Sequence, residues 1–296
     1  MKKGSKTVLV TGSQGFTGRY VVNMLKEDGF HVHGLVDNRP LENEHRANLT
    51  DLESVKTVIK HVDPDYIIHL AGIATITEKD PNAFYQTNLF GTLNLLSAIE
   101  KEGKNIEKII LASSAYVYGN GTHSLISEQN CPNPSQHYAM SKLAMEQMAT
   151  HLYPKLPVVI ARPFNYTGVA QSSQMVIPKI VQHFRERKAI IELGNLHVSR
   201  EFNDVRMVSR AYCDLLDRAS SGMIVNICTG KSHSLNEVLR LCSHLYQHTI
   251  QVESNPKLVR QNEAKNLSGD PAFLQSILPN LPQYSLQDTL HWMLFE

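Results

Sequence analysis

The run TVLVT (7–11) passes without a break into Gly12-Ser13-Gln14-Gly15-Phe16-Thr17-Gly18, and then into a stripe of Tyr20, Val21, Met24 and Leu25 that Gly29 closes. Residue chemistry orders these pieces as strand, tight turn and helix. β-Branched and apolar side chains come first, helical spacing follows, and a glycine stands where a helix ends. Glycines at 12, 15 and 18 permit a tight turn, close backbone approach to a pyrophosphate and close helix packing, while the helix N-terminus supplies oriented N–H groups.

Similar runs recur at helix-plus-strand spacing: FHVHGLV (30–36), YIIHLA (66–71), KIILAS (108–113), VVIAR (158–162) and IVNICT (224–229), with a shorter strand near 46–49. Most are apolar throughout, as in strands covered on both faces. The alternation predicts an α/β fold, a doubly wound parallel sheet of the Rossmann type. After about residue 168 the pattern loosens around Pro178, a basic helical stretch IPKIVQHFRERK, and Pro256, Pro271, Pro279 and Pro282. We therefore expect a dinucleotide-binding domain over 1–168 that returns to the sheet at about 201–230. Residues 169–200 and 231–296 would form a smaller, discontinuous substrate-binding lobe.

Composition excludes several function classes. At 296 residues, 42% hydrophobic and 19% charged, the chain can bury a sizeable core. Twenty-nine basic side chains against 28 acidic ones leave +1 with no run of like charge, so a sequence-independent grip on nucleic acid has no support. No stretch approaches the length of a membrane span, and the apolar VLV after MKKGSK is too short for a secretory signal. No membrane association is expected, and the cytoplasm is the expected compartment. Cys131, Cys213, Cys228 and Cys242 lie far apart without a CxxC pair, and the 14 histidines show no ligand spacing, so neither a disulfide framework nor a metal site is predicted.

Asp37 stands near the end of the second strand, 25 residues after Gly12. There it can accept from both ribose hydroxyls of an adenosine and would repel a 2′-phosphate, which favours NAD over NADP. Arg39 and Arg19 could neutralise that phosphate, so NADP stays open. Asp51-Leu52 could meet the adenine ring, although Thr50 or Asp51 would serve equally as a helix N-cap. Further along, Tyr138-Ala139-Met140-Ser141-Lys142 places a phenol and an ammonium one helical turn apart. Hydride exchange at a carbinol carbon requires its oxygen to gain or lose a proton, and a phenol of pKa near 10 is a poor partner at neutral pH. Lowering it by roughly three units takes about 4 kcal/mol, which a nearby ammonium and a positive nicotinamide ring could supply. Ser114 follows a strand in SSAYVYG (113–119), at the end where ligands meet such sheets.

These features, with His69-Leu70-Ala71-Gly72 and Asn88 in QTNLFGTLNLL, resemble the extended short-chain dehydrogenase/reductase family over nearly the whole chain. The resemblance implies Tyr138 as general acid/base, Lys142 as the group that lowers its pKa and holds the nicotinamide ribose, and Ser114 as the hydroxyl that orients the reacting oxygen. The dinucleotide would lie on Gly12, Gln14, Gly15, Phe16, Thr17 and Gly18. It would also touch Asp37, Asn38 and Arg39, then Asp51 and Leu52, then Leu70, Ala71 and Gly72. Asn88, Tyr138, Lys142 and Arg162 complete the expected cofactor contacts, with Asn88 alternatively a packing residue.

Three further stretches resemble the nucleotide-sugar branch: RPFNYTG (162–168), REFNDV (200–205) and RQNE (260–263). Arginine's planar fork suits diphosphate oxygens, which makes Arg200 and Arg260 phosphate candidates beside Lys179 and Glu263. Ser114, Ala115, Tyr116 and Asn165 would meet the sugar. RPFNYTG and REFNDVRMVSRAY are most similar to reductases of GDP-4-keto-6-deoxy-D-mannose, which form GDP-D-rhamnose, and to enzymes forming GDP-6-deoxy-D-talose. Sugar 4,6-dehydratases carry an acid directly after the active-site Ser or Thr, whereas this chain has Ala115 and Tyr116, so elimination of water is disfavoured. An NAD-retaining 4-epimerase is the alternative, and a non-catalytic dinucleotide sensor a more distant one. Apolar stripes on the helices near 88–99 and 141–152 suggest a homodimer by the same resemblance, although burial within one chain would also explain them.

Overall fold

The computed structural model describes residues 6–74, 80–120, 125–196, 198–258 and 266–296. The first half alternates strand and helix: β1 (Thr7–Thr11), α1 (Phe16–Glu27), β2 (His31–Val36), β3 (Glu44–Arg46), α2 (Leu52–Val62), β4 (Tyr66–His69), α3 (Pro81–Phe84), α4 (Gly91–Lys101), β5 (Lys108–Ala112) and α5 (His137–Leu152). A π-helical turn, Tyr85–Phe90, joins α3 to α4, and a 3₁₀ turn, Ala115–Tyr118, follows β5. Then come β6 (Val158–Pro163), β7 (Tyr166–Thr167), α6 (Val176–Arg185), β8 (Ile190–Leu193), β9 (Ser199–Glu201), β10 (Asn203–Asp204), α7 (Val205–Arg218) and β11 (Ile224–Ile227). The chain ends with β12 (Ser232–Ser234), α8 (Leu235–Tyr246), β13 (Gln251–Ser254), β14 (Asn266–Leu267), α9 (Ala272–Ile277) and α10 (Leu286–Phe295).

Seven strands form one parallel sheet in the order β11-β6-β5-β4-β1-β2-β3. The strand order reverses between β1 and β4, the place where a doubly wound sheet opens a crevice at its carboxyl edge. Both faces are covered, which is why the strands read as unbroken apolar runs. One face packs Val8, Val10, Ile68 and Ile110 against α1 and α7. The other packs Leu9, Ile67, Ile109 and Leu111 against α2, α4 and α5. IVNICT does return to the sheet, as its edge strand β11 beside β6. The short third strand lies at Glu44–Arg46, earlier than expected, because it pairs with Gly34–Val36 at a polar edge where no apolar run marks it.

A separate core lies outside the sheet. Ile177, Ile180 and Phe184 of α6 pack with Ile191 and Leu193 of β8, Val238 of α8 and Leu290 and Met293 of α10. Three small ladders, β7 with β10, β12 with β9 and β14, and β8 with β13, run through this half. Among the described residues no helix is long and apolar enough to cross a membrane.

Candidate active site

The glycine turn sits at the carboxyl end of β1, on the reversal of strand order. Gly12 has φ +68°, and a Cβ there would lie 3.0 Å from the Ala71 backbone, while a Cβ at Gly18 would fall 2.1 Å from the Gly12 carbonyl. Only hydrogen fits at these two positions. Gly15 is exposed and caps α1 without a side-chain hydrogen bond, and the first turn carries no acid. The helix end thus presents bare backbone N–H groups, a cradle suited to a pyrophosphate.

The ends of β4 and β5 bring the candidate reaction residues to the same rim. A Cβ at Gly72 would lie 2.8 Å from Asn88 Oδ1 and 3.2 Å from Lys142 Nζ. Asn88 is fully buried: its Oδ1 accepts from the Ile73 N–H at 2.8 Å, and its Nδ2 donates to the Ile73 carbonyl at 3.0 Å and to Ser141 Oγ at 3.1 Å. It clamps the segment after β4 onto α5. Ser114 caps the 3₁₀ turn, accepting from the Tyr116 N–H at 3.2 Å, and its hydroxyl interacts with the Tyr138 phenol. Tyr138 lies in the first turn of α5, edge-on to Phe84 and Tyr116, with Lys142 one turn further along.

Burial dominates the electrostatics. It pushes the Tyr138 phenol well above its ordinary value; Ser114 pulls it down, and the nearby Tyr166 and Tyr116 push it up. The expected lowering by Lys142 does not appear. The Lys142 ammonium instead donates to the Ala112 carbonyl at 2.8 Å, and its burial lowers it to about 8 against the opposing pull of Glu146. Glu146, one turn beyond Lys142, was missed from sequence although its i,i+4 spacing was visible. It accepts from Ser113 Oγ and pairs with Arg162, both partners at least 98% enclosed.

Arg162 therefore does not reach the rim as a cofactor contact. Its guanidinium is spent inside, on Glu146 and on Tyr118 OH at 2.9 Å, because a buried cation must be paired. Other expected residues divide. Asp37, Asn38 and Arg39 are exposed beyond β2, and Leu70 and Ala71 line the end of β4. Asp51 is the N-cap of α2, accepting from the Glu53 N–H at 3.1 Å, with Leu52 half-buried behind it. Phe16 stacks on Tyr166, and Thr17 Oγ1 lies 2.7 Å from Tyr166 OH, so these two side chains fasten the turn to β7.

On the substrate side, Asn165 Nδ2 donates to Tyr116 OH at 3.2 Å, next to Tyr138. The methyl of Ala115 is buried in a small core with Val117, Tyr118 and Phe164 and cannot meet a ligand. Arg200 is 5% exposed and donates to the Ser199 carbonyl, and Lys179 donates to the Glu192 carbonyl at 2.6 Å. Arg260 and Glu263 lie outside the described residues. Two contributors carried no role in the sequence reading: His69, between Thr11 and Thr92, and Glu44, beside the glycine turn. Among the described residues no cluster is suited to hold a metal ion.

Residues 8–228 match the NAD dependent epimerase/dehydratase family. The chain is 33% identical to GDP-6-deoxy-D-talose 4-dehydrogenase of Aggregatibacter actinomycetemcomitans, over 92% of this chain and 91% of that one. It is 30% identical to GDP-6-deoxy-D-mannose reductase of Pseudomonas aeruginosa, over 98% and 96%. The solved structure of RMD from Pseudomonas aeruginosa complexed with NADPH superposes with a TM-score of 0.87 at 30% identity, covering 98% of this chain and 97% of that chain. With the match spanning both the glycine turn and the Tyr138 helix, the chain belongs to this epimerase/dehydratase branch of the extended short-chain dehydrogenase/reductases, and it is an enzyme that works with NAD or NADP.

Proposed function

We propose that the enzyme reduces the 4-keto group of a GDP-linked 6-deoxy sugar, GDP-4-dehydro-6-deoxy-D-mannose, giving GDP-D-rhamnose or GDP-6-deoxy-D-talose. The observation that carries this is the rim at the end of β5: Ser114 and Tyr138 meet there, and the places after Ser114 hold a buried methyl and a phenol instead of an acid. Proton removal next to the carbonyl has no base in that motif, whereas proton delivery to a carbonyl oxygen has two hydroxyls. The names of the two relatives support the GDP-linked deoxyhexose.

A bound reduced nicotinamide supplies the hydride. The chain's own residues do the rest. Backbone N–H groups at the start of α1 hold the pyrophosphate, and Lys142, kept near the rim by the Ala112 carbonyl, is within reach of a ribose hydroxyl. Ser114 Oγ hydrogen-bonds the ketone oxygen while Tyr138 delivers the proton to it. Burial keeps the phenol protonated, the form a donor needs, and the Ser114 hydroxyl draws its pKa back down, toward the range in which it can release that proton. Asn165 and Tyr116 position the sugar beside Tyr138.

We assign residues 1–168 and 201–230 to dinucleotide binding and 169–200 and 231–296 to the substrate lobe, with Arg200, Lys179, Arg260 and Glu263 as candidate nucleotide contacts. Two copies would pair through α4, the π-helical turn before it, and α5, where Phe90, Met140 and Leu152 stand 47%, 41% and 55% exposed. Free thiols at all four cysteines fit the reducing cytoplasm.

Incubation with GDP-4-dehydro-6-deoxy-D-mannose and each reduced coenzyme, followed by NMR of the product sugar, tests the reading. Coenzyme oxidation matched to one new C4 carbinol is expected. A product isomeric with a sugar substrate and no net coenzyme use would establish the epimerase instead. Tyr138→Phe should lower turnover by about 10²- to 10⁴-fold while the protein still binds dinucleotide; a near wild-type rate would exclude Tyr138 as the acid.

A further inference from the structure

The glycine turn is braced by a carboxylate from another strand. Glu44, the first residue of β3, accepts from the Ser13 hydroxyl at 2.6 Å, from the Gln14 amide nitrogen, and from the Leu41 N–H at 2.8 Å. Gly34 in β2 makes the room. A Cβ there would lie 2.3 Å from Ser13 Oγ and 2.8 Å from Glu44 Cγ. Partial burial pushes the Glu44 carboxyl up, but the bonds from Ser13, Gln14 and Leu41 outweigh it and hold the group below the usual carboxylate range.

The consequence lies in the Gln14 amide. Its Nε2 donates both to Glu44 and, at 3.0 Å, to the Arg39 carbonyl. A primary amide has two N–H donors, and here both are spent on groups that only accept, so chemistry fixes which end of the amide is nitrogen. What Gln14 has left to offer a ligand is its carbonyl oxygen. Asp37, exposed at the end of β2, adds a second acceptor. A ribose 2′-hydroxyl donates a hydrogen bond and suits both groups. A 2′-phosphate brings negative charge and acceptor oxygens, and suits neither. Of the neighbouring cations, Arg19 Nε donates to the main-chain carbonyl of Gln14 at 2.9 Å and Arg46 Nε to the main-chain carbonyl of Asp37 at 3.3 Å, while Arg39 stands exposed beside Asp37.

We propose that Glu44, acting through the Gln14 amide, makes this enzyme select NAD(H) over NADP(H). Glu44 is a positioning residue in this scheme. The proposal rests on the dinucleotide part of the reading above and is independent of the sugar.

The test is equilibrium titration of the full chain with NADH and with NADPH, followed by nicotinamide fluorescence, with no sugar present. Wild type should bind NADH about tenfold more tightly or better, the worth of one good charge-assisted contact. Glu44→Ala removes both acceptor oxygens and releases the Gln14 amide to turn a donor outward, and the NADPH-to-NADH ratio of Kd should fall about fivefold or more. Thermal unfolding monitors whether that variant folds. Gln14→Ala, which leaves Glu44 in place, should move the ratio the same way by weakening NADH. Tighter or equal binding of NADPH by the wild type overturns the proposal, and so does an unchanged ratio in the folded variants. Binding of neither dinucleotide would overturn the cofactor reading with it, whereas failure to turn over a GDP-sugar touches only the substrate.

Discussion

His69 shows what a single enclosed side chain can fix. It is 1% exposed, with Nδ1 2.7 Å from Thr11 Oγ1 and Nε2 2.9 Å from Thr92 Oγ1. Thr92 donates to the Asn88 carbonyl at 2.7 Å, so its oxygen must accept from His69 Nε2–H. His69 Nδ1 is then the acceptor, taking the Thr11 hydroxyl, whose oxygen in turn accepts from the Ala71 N–H at 3.1 Å. One neutral tautomer satisfies every member and ties β1, β4 and α4 together beneath the dinucleotide rim. Burial, helped by the positive Lys142, lowers the imidazole to about 3. The unfolded chain then binds the extra proton between pH 6.5 and about 3, so this residue's share of stability is present above pH 6.5 and is lost as pH falls through that window. Between pH 7 and 4.5 the loss should reach about 2–3 kcal/mol. His69→Gln keeps a donor and an acceptor but does not titrate. Urea unfolding at the two pH values should show a flatter dependence in the variant by that amount; an identical slope would mean His69 is protonated when folded.

At the scale of elements, the π-helical turn between α3 and α4 is the unusual part, and such turns recur at functional sites. It carries Asn88, whose amide reaches both the segment after β4 and Ser141 of α5. Asn88→Ala would leave the Ile73 N–H and C=O without that partner, at a cost of about 2–4 kcal/mol. Hydrogen exchange should report it specifically: the Ile73 amide should lose protection while amides in β5 keep theirs, and unchanged protection at Ile73 would contradict the clamp. TVLVT becomes β1 at its expected limits because both faces of that strand are apolar. Gly29 ends α1 as expected, at φ +86°. The π turn has no spacing of its own in QTNLFGTLNLL and was not legible, whereas β3, three polar residues placed by pairing with β2, was legible as a short strand but not at its limits. Tyr138, Lys142 and Ser114 could be read because a helical turn and a strand end locate them. Arg162 was misplaced because sequence gives an arginine's neighbours along the chain and not the Glu146 that faces it.

At the scale of the whole molecule, the sheet and the second core need a joint, and Glu201 supplies it. This carboxylate at the end of β9 is fully enclosed. It accepts from the backbone N–H of Thr229 at 2.8 Å and of Gly230 at 3.2 Å, just past β11 of the main sheet, and from Gly269 N–H at 2.7 Å, just past β14. Asn203 Nδ2 adds a bond at 2.8 Å and Ser268 Oγ one at 3.3 Å. Burial raises its carboxyl, and these donors hold it back. Only a carboxylate can accept on both oxygens from donors that arrive from three segments. Glu201→Gln keeps the size but sets an N–H against an N–H, leaving at least one buried donor unmade at about 2–4 kcal/mol. Because Arg200 is its neighbour on β9, loosening the joint also frees the strand that carries a candidate phosphate contact. The variant should melt about 5 °C or more below wild type and bind a nucleotide sugar more weakly, while an exposed carboxylate changed the same way, Glu253→Gln, should do neither. A Glu201→Gln protein with wild-type Tm would show that sheet and lobe are joined by packing alone.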